Sequence, residues 1–380
     1  MAIRLTTAGE SHGKALVAII EGLPAHLRID CEQMQQELAL RQSGFGRGGR
    51  QAIERDCVEI LSGVRNGETL GSPIALCLYN RDFANWSACM AAGECDAEQM
   101  AAKRVTQVRP GHADLVGMQK FAQDDARNVL ERASARETAI RVAAGSIFKQ
   151  YLAAIGVEIG GCVREICGVK DDGEYSFAAL AAAKNSDVGM VNDGCAALAR
   201  ERIALLAEEG DTAGGVVEVR VRGLKSGFGN VMSYDEKLDG KLAGALMSVQ
   251  AVKGVEIGAG FAVGGKRGSE IHDEIFYNER KGFFRETNRA GGMEGGMSNG
   301  EELVSRVAMK PIPTLKNGLR SVDFSKKTPC VAAAERSDVC AIVALECVAE
   351  AVVAQVLCAA VAERLGGDTM AQVIARYQAL

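Results

Sequence analysis

The chain has 380 residues, a net charge of −5 at neutral pH, 47% hydrophobic and 24% charged residues. That is the composition of a folded globular protein, not of a disordered or fibrous one. A sequence pI near 5.6 and 5% aromatics argue against a nucleic-acid binder, whose domains are usually basic and use aromatic rings as stacking platforms.

The N-terminal stretch MAIRLTTAGESHG lacks the apolar core of a secretory signal. The twelve cysteines include no Cys-x-x-Cys pair, so they are expected to be reduced, small apolar residues of a cytoplasmic protein. Alternation at Ile3–Leu5 and the run Ala15–Ile20 predict two strands joined by a turn at Gly9–Gly13. Asp30 and Gln33 predict a capping box at the start of a helix with Met34, Leu38 and Leu40 as its apolar stripe. Val58–Leu61 and Ile74–Tyr79 predict a strand pair. Residues 82–103 show no chemistry. Ser134/Glu137 and Ser233/Glu236 predict two more boxed helices, the first with Ile140, Ala144, Ile147, Tyr151 and Ile155 on one face, the second with Leu238, Leu242, Leu246 and Val249. Val217, Val219 and Val221 predict a half-exposed strand, and further strands are expected at Gly254–Gly265 and Leu303–Met309. Val339–Leu365 is almost continuously apolar but carries Glu346, Glu350 and Glu363, so it is expected to be a buried helix and not a membrane span. The order is not a regular βαβ alternation. It points to an α+β fold, layered, with antiparallel sheets packed around helices and no evident linker. Strand-like runs with Gly turns at 58–79 and 216–265 hint at duplication.

Of the four histidines, His26 and His272 have ordinary polar surroundings. His12 and His112 each adjoin glycine in a predicted turn, where an imidazole suits general acid work. The loop 41–50 holds Arg41, Arg47 and Arg50 among glycines and no acid, which suits a phosphate or carboxylate. An RGG-like RNA-binding segment is the alternative reading of that loop. A dinucleotide-binding loop is another, but the glycines follow a predicted helix and not a strand. Arg132, Ser134 and Arg136 flank a predicted helix start, a ready anion site or an ordinary cap. Gly291–Gly300 is a glycine-rich loop, Lys310–Thr314 a stiff extended segment, and Asp338 reads either as a functional carboxylate or as the N-cap of the long apolar helix.

Taken together, these segments resemble the chorismate synthase family. The resemblance rests on Gly9-Glu10-Ser11-His12-Gly13, Arg41–Asp56 (RQSGFGRGGRQAIERD), Ser62–Arg65, Gly71–Ile74, Arg109–Asp114 (RPGHAD) and Arg132–Gly145 (RASARETAIRVAAG). It continues through Val252–Gly258, Gly296–Gly300, Lys310–Thr314 (KPIPT) and Arg336-Ser337-Asp338. Residues 82–103 and 160–200 match no motif. The resemblance implies one catalytic domain over 1–380, a β-α-β sandwich, and a homotetramer with neither nucleic-acid nor membrane partners. It implies trans-1,4-elimination of phosphate from 5-enolpyruvylshikimate 3-phosphate to give chorismate. Reduced FMN serves without net redox change, and NADPH or an external donor is its reductant. Asp338 would take a proton from flavin N5, His112 would stabilise the reduced flavin, and His12 would meet the departing phosphate. Substrate contacts would be Ser11, Arg47, Arg50, Arg109 and Arg136, with Arg41 and Arg47 in a nicotinamide-nucleotide or substrate site. Flavin contacts would be Arg132, Ala133, Ser134, Gln250, Ala251, Gly295, Lys310, Pro311, Ile312, Pro313, Thr314 and Arg336.

Overall fold

The computed structural model describes residues 2–48, 55–334 and 338–380. Two antiparallel sheets carry the predicted strands. The first comprises β1 (Arg4–Ala8), β2 (Ala15–Glu21), β3 (Val58–Ile60) and β4 (Ile74–Tyr79) in the order β1-β2-β4-β3. The register of its first hairpin runs from Arg4 opposite Glu21 to Ala8 opposite Val17. The second comprises β5 (Glu158–Ile166), β6 (Val169–Lys170), β7 (Gly215–Arg222), β8 (Val252–Ile257) and β9 (Leu303–Met309) in the order β8-β9-β7-β5-β6. The suggested duplication is not realised: Val58–Ile60 pairs directly with β4, whereas β9 separates β7 from β8. The strand expected through Gly265 stops at Ile257, and a 3₁₀ turn covers Gly260–Gly265.

Six helices concern the site: α1 (Cys31–Gln42), α2 (Asp114–Phe121), α3 (Arg127–Ala133), α4 (Thr138–Ala153), α5 (Leu238–Met247) and α6 (Ile342–Leu365). Helix α4 packs on β2 and β4, α6 packs on β5 and β7, and α4, α6 and α1 pack on one another. This fits the periodicity, since Ile140, Ala144, Ile147 and Tyr151 of α4 are all buried. Ile155 lies just past the end of the helix and is buried too. Gly145 makes the close helix crossing: a Cβ there would sit 2.3 Å from the Cβ of Ala351. Gly145→Val is therefore expected to cost about 1–3 kcal/mol or more through overpacking. The check is a lower denaturant midpoint at unchanged slope.

The predicted capping boxes form only in part. Asp30 accepts hydrogen bonds from the N–H groups of Glu32 (2.9 Å) and Gln33 (3.0 Å). Its own N–H goes to Gln150 Oε1 on α4 (2.7 Å), and Gln33 turns to Glu37. Ser134 accepts from Arg136 N–H, while Glu137 is drawn off to Thr7 Oγ1 (2.7 Å) and Gln250. Ser233 turns to Asp235 and Glu236 to Lys241. In each case a nearby side chain or a tertiary partner outcompetes the reciprocal bond.

Strand β7 alternates as expected, but its outer face is not open. Glu218 is fully buried between Arg220 and Arg306 (each 2.8 Å) and Arg164. Burial pushes its carboxyl up, and the three arginines outweigh that and hold it below the ordinary range. Helix α6 is long and apolar enough to cross a membrane, yet 83% of its most apolar stretch is buried inside the fold. Two of its acids are matched by cations: Glu350 meets Lys149 (2.7 Å) and Lys184 (3.3 Å), Lys149 also meets Glu37 (2.8 Å), and Glu363 meets Lys241. Burial, with Glu350 beside it, pushes Glu346 well above the usual carboxyl range.

Candidate active site

His12 lies in the β1–β2 turn. Gly9 opens that turn at φ 111°, where a Cβ would fall 2.3 Å from the Ala15 carbonyl oxygen, so only glycine fits. The imidazole Nδ1 lies 2.9 and 3.0 Å from the two carboxylate oxygens of Glu131 on α3, and the His12 N–H also donates to Glu131 (2.8 Å). Arg127 donates to the same carboxylate (2.8 Å). Burial raises the Glu131 carboxyl, but the His12 and Arg127 hydrogen bonds outweigh it and keep the group below the ordinary range. A carboxylate at Nδ1 fixes the neutral ring as the Nδ1–H tautomer and leaves Nε2 as the nitrogen for a ligand. The ring also stacks on Trp86, with centroids 4.1 Å apart.

His112 sits just before α2. Its Nδ1 is 2.5 Å from Asp114 Oδ1. Asp114 is fully buried, and Arg109 binds it in a bidentate fork (Nε 2.8 Å, Nη2 3.0 Å) and by its backbone N–H (3.1 Å). Burial raises the Asp114 carboxyl, yet the His112 and Arg109 hydrogen bonds pull it far below its usual value. Helices α2 and α3 bring the two histidine loops onto one support. At Gly117 on α2 a Cβ would collide with Val129 on α3, at 2.2 Å.

Asp338 is not a helix cap. Helix α6 starts four residues later, with Ala341 at the cap and no side-chain cap bond. The Asp338 carboxylate instead faces the arginine loop, accepting from Gly48 N–H (2.6 Å) and pairing with Arg47 (3.2 Å). Arg50 and Arg336 lie outside the described residues.

The other described arginines of the predicted set also meet protein groups. Arg109 is spent on Asp114 and on Thr314 Oγ1 (3.0 Å). Arg136 is held by both oxygens of buried Asp56 (2.6 and 2.8 Å) and by Asn80 (3.0 Å). Arg41 donates to Thr138 Oγ1 (3.0 Å) and the Ala135 carbonyl (2.9 Å), and burial draws its guanidinium down to about 10. Arg47 is the arginine that lies beside Asp338.

The predicted flavin segments meet one another and the His112 loop. Lys310 donates from its side chain to the Gly111 carbonyl and from its backbone to the Ala251 carbonyl (3.0 Å). Ala251 has a left-handed φ of 68°, a conformation an alanine holds only when its surroundings impose it. Pro313 abuts Gly111. Pro311 lies within the same segment, and the Ile312 carbonyl accepts from Thr212 Oγ1 (2.8 Å). The adjacent Ala213 N–H donates to the Val339 carbonyl, tying this segment to the residue that follows Asp338. Ala133 ends α3, and Ser134 Oγ lies 3.3 Å from Ser11 Oγ.

A cavity of about 300 Å³ gathers Arg132 and Gln250 with Leu5, Thr7, Glu137 and Gln355 among its walls. His12, His112 and Asp338 do not line it. Gly295 is also set apart. It tips the hairpin Met293–Ser298 near Lys237, before the start of α5, whereas Gln250 follows its end. Ten helical residues put about 15 Å between those ends.

Sequence reasoning missed Trp86, Glu131, Asp114, Asp56 and Asn80 as site supports. Trp86 carried a signal, being the chain's single tryptophan. Asp114 also carried one, standing in the motif Arg109–Asp114 two residues from His112, whereas the roles of Glu131, Asp56 and Asn80 depend on contacts between distant segments.

Comparison with known proteins accords with this placement. The family model described as chorismate synthase matches residues 3–362. The chain is 50% identical over 384 residues to the chorismate synthase of Geobacter metallireducens, covering 99% of this chain and 97% of that one. It is 52% identical over 379 residues to that of Desulforudis audaxviator, covering 99% and 96%. A solved structure titled Crystal Structure of Chorismate Synthase superposes with a TM-score of 0.80 at 38% identity, covering 100% of this chain and 97% of that one. With arginine, histidine and carboxylate motifs in the expected order and a family match across nearly the whole chain, the chain belongs to the chorismate synthase family.

Proposed function

We propose that this chain carries out its family's elimination with reduced FMN, and that Asp338, His112, His12 and Arg47 hold the reacting groups. The reaction is that of the family: 5-enolpyruvylshikimate 3-phosphate loses phosphate and a ring proton to give chorismate in the shikimate pathway. The observation that carries the cofactor reading is the pinning of Lys310–Thr314 to the His112 loop on one side and to Ala251 on the other.

Two buried atoms support a bound flavin and an anionic substrate. Gln250 Oε1 and Arg47 Nε have no hydrogen-bond partner among the described residues. Leaving such groups open costs about 1–3 kcal/mol each. A flavin ring edge offers an N–H for the first, and a phosphate or carboxylate suits the second. When bound, reduced FMN supplies electron density to the substrate and a ring nitrogen able to take its proton. Asp338, held by Arg47 and Gly48, is placed to accept a proton. His112, oriented by Asp114, serves as a donor toward the flavin, and His12, as the imidazolium paired with Glu131, presents Nε2–H to the leaving phosphate. Arg47 holds substrate anionic groups.

The packed sheets and helices are read as a β-α-β sandwich forming one domain over 1–380. The hairpin Ile275–Arg285 leaves Ile275, Tyr277 and Phe283 exposed, which supports a subunit interface of the homotetramer. The deciding assay mixes the protein anaerobically with FMN, a reductant and the enolpyruvyl substrate. Phosphate release that needs all three supports the reading, and release without flavin sinks it. Asp338→Asn is expected to keep the fold, because Asp338 caps no helix, and to keep flavin binding while losing turnover. Flavin reduction by NADPH alone, under the same conditions, separates a self-reducing enzyme from one supplied with reduced flavin.

A further inference from the structure

We propose that Trp86 and Glu131 are positioning residues for His12, fixing its imidazole so that Nε2 is presented to the substrate. The proposal rests on the reading of His12 as the group that meets the phosphate. It gives a role to residues 81–103, which carry no recognisable motif.

Four side chains form a closed ring. His12 Nδ1 meets Glu131 (2.9 Å), Arg127 donates to Glu131 (2.8 Å), the Arg127 guanidinium lies 4.9 Å from the Trp86 ring centre, and Trp86 stacks back on His12 at 4.1 Å. Lys103 approaches the same indole at 4.6 Å. The Trp86 ring is itself held, its Nε1–H donating to Asp82 Oδ2 (3.1 Å). The segment that carries it leaves the end of β4, where Asn80 donates to the carbonyls of Glu10 (3.1 Å) and Gly13 (2.7 Å) on either side of His12. The His12 turn is thus clasped by the Asn80 side-chain amide bonded to its backbone, by a carboxylate at Nδ1 and by an aromatic face. A turn histidine without them would sample several rotamers, and misplacement of a reacting group by about 1 Å costs up to about 10²-fold in rate.

Neither Trp86 nor Glu131 offers a group of its own to the reaction here, so their effect should run through His12 alone. Trp86→Leu and Glu131→Ala are each expected to lower kcat about tenfold or more with KM changed by no more than about twofold. Trp86→Phe, which keeps a stacking ring, should restore most of the rate. In a His12→Ala background neither change should slow the enzyme further, the non-additivity of groups acting as one unit. Because Trp86 is the chain's single tryptophan, its emission reads the ring contact without any turnover. His12→Ala should shift it, and His112→Ala should not. Glu131→Ala lies on another element and tests the claim where Trp86→Leu fails to fold. Wild-type kcat in folded Trp86→Leu and in Glu131→Ala, with His12→Ala slow, overturns the proposal, as does full additivity in the double variants. A His12→Ala enzyme with full turnover overturns instead the reading on which the proposal rests.

Discussion

His12→Ala and His112→Ala are each expected to lower turnover by about 10²-fold or more, the loss typical of a missing acid–base group. The fold should survive, since both residues lie in turns and belong to no helix or strand. The two losses should differ in kind. His112 is expected to affect the flavin, so its variant should change the absorbance of bound reduced FMN. His12 is expected to affect the leaving phosphate, so its variant should leave that spectrum alone. Anaerobic single-turnover assays with spectra of the bound flavin check both statements. Wild-type turnover in either variant removes that residue from the mechanism.

Removing the Asp114 carboxylate should be the most damaging change outside the reacting groups. It leaves the buried Arg109 guanidinium without its counter-charge, which typically costs about 3–5 kcal/mol, and it frees His112. Asp114→Leu should therefore unfold at lower denaturant and work poorly, whereas adding Arg109→Met should recover part of the stability by removing the stranded charge. The pH dependence has a definite sign. The folded carboxyl of Asp114 titrates far below its unfolded value, so its stabilisation is complete at neutral pH. It is lost as pH falls through about 4 and below. Denaturation midpoints measured from about pH 7 down to pH 3 should fall more steeply for the wild type than for Asp114→Leu. Parallel curves would show that the carboxylate does not stabilise the fold.

Strands and helices with strong periodicity could be read from the chain alone. The β1–β2 pair, the Asp30 cap, the buried face of α4 and the burial of α6 all follow from local pattern. What pattern could not supply was partners. Glu218 alternates like a solvent-facing residue, yet three arginines from two other strands and its own close over it. Gln33 and Glu137 stand where a capping box needs them, yet Gln33 turns to Glu37 on its own helix and tertiary contacts draw Glu137 away. The same limit governs the site. Histidines and arginines in glycine-rich turns could be picked out as candidates. That Arg109, Arg136 and Arg41 face protein carboxylates and backbone, leaving Arg47 beside Asp338, depends on residues up to 290 positions apart in sequence. Trp86 was passed over because its neighbours in sequence carry no pattern, and its meaning comes from the ring it touches.

The position of α6 bears on how the protein is made. This helix follows every strand of both sheets in the chain, yet it covers β5 and β7 and fills the space beside α4. A ribosome therefore delivers the whole second sheet before the helix that covers it. The emerging polypeptide must carry that apolar face uncovered until α6 has been made. Such an intermediate is a natural client for chaperones, and truncation just before Ile342 should yield aggregates instead of a smaller folded unit.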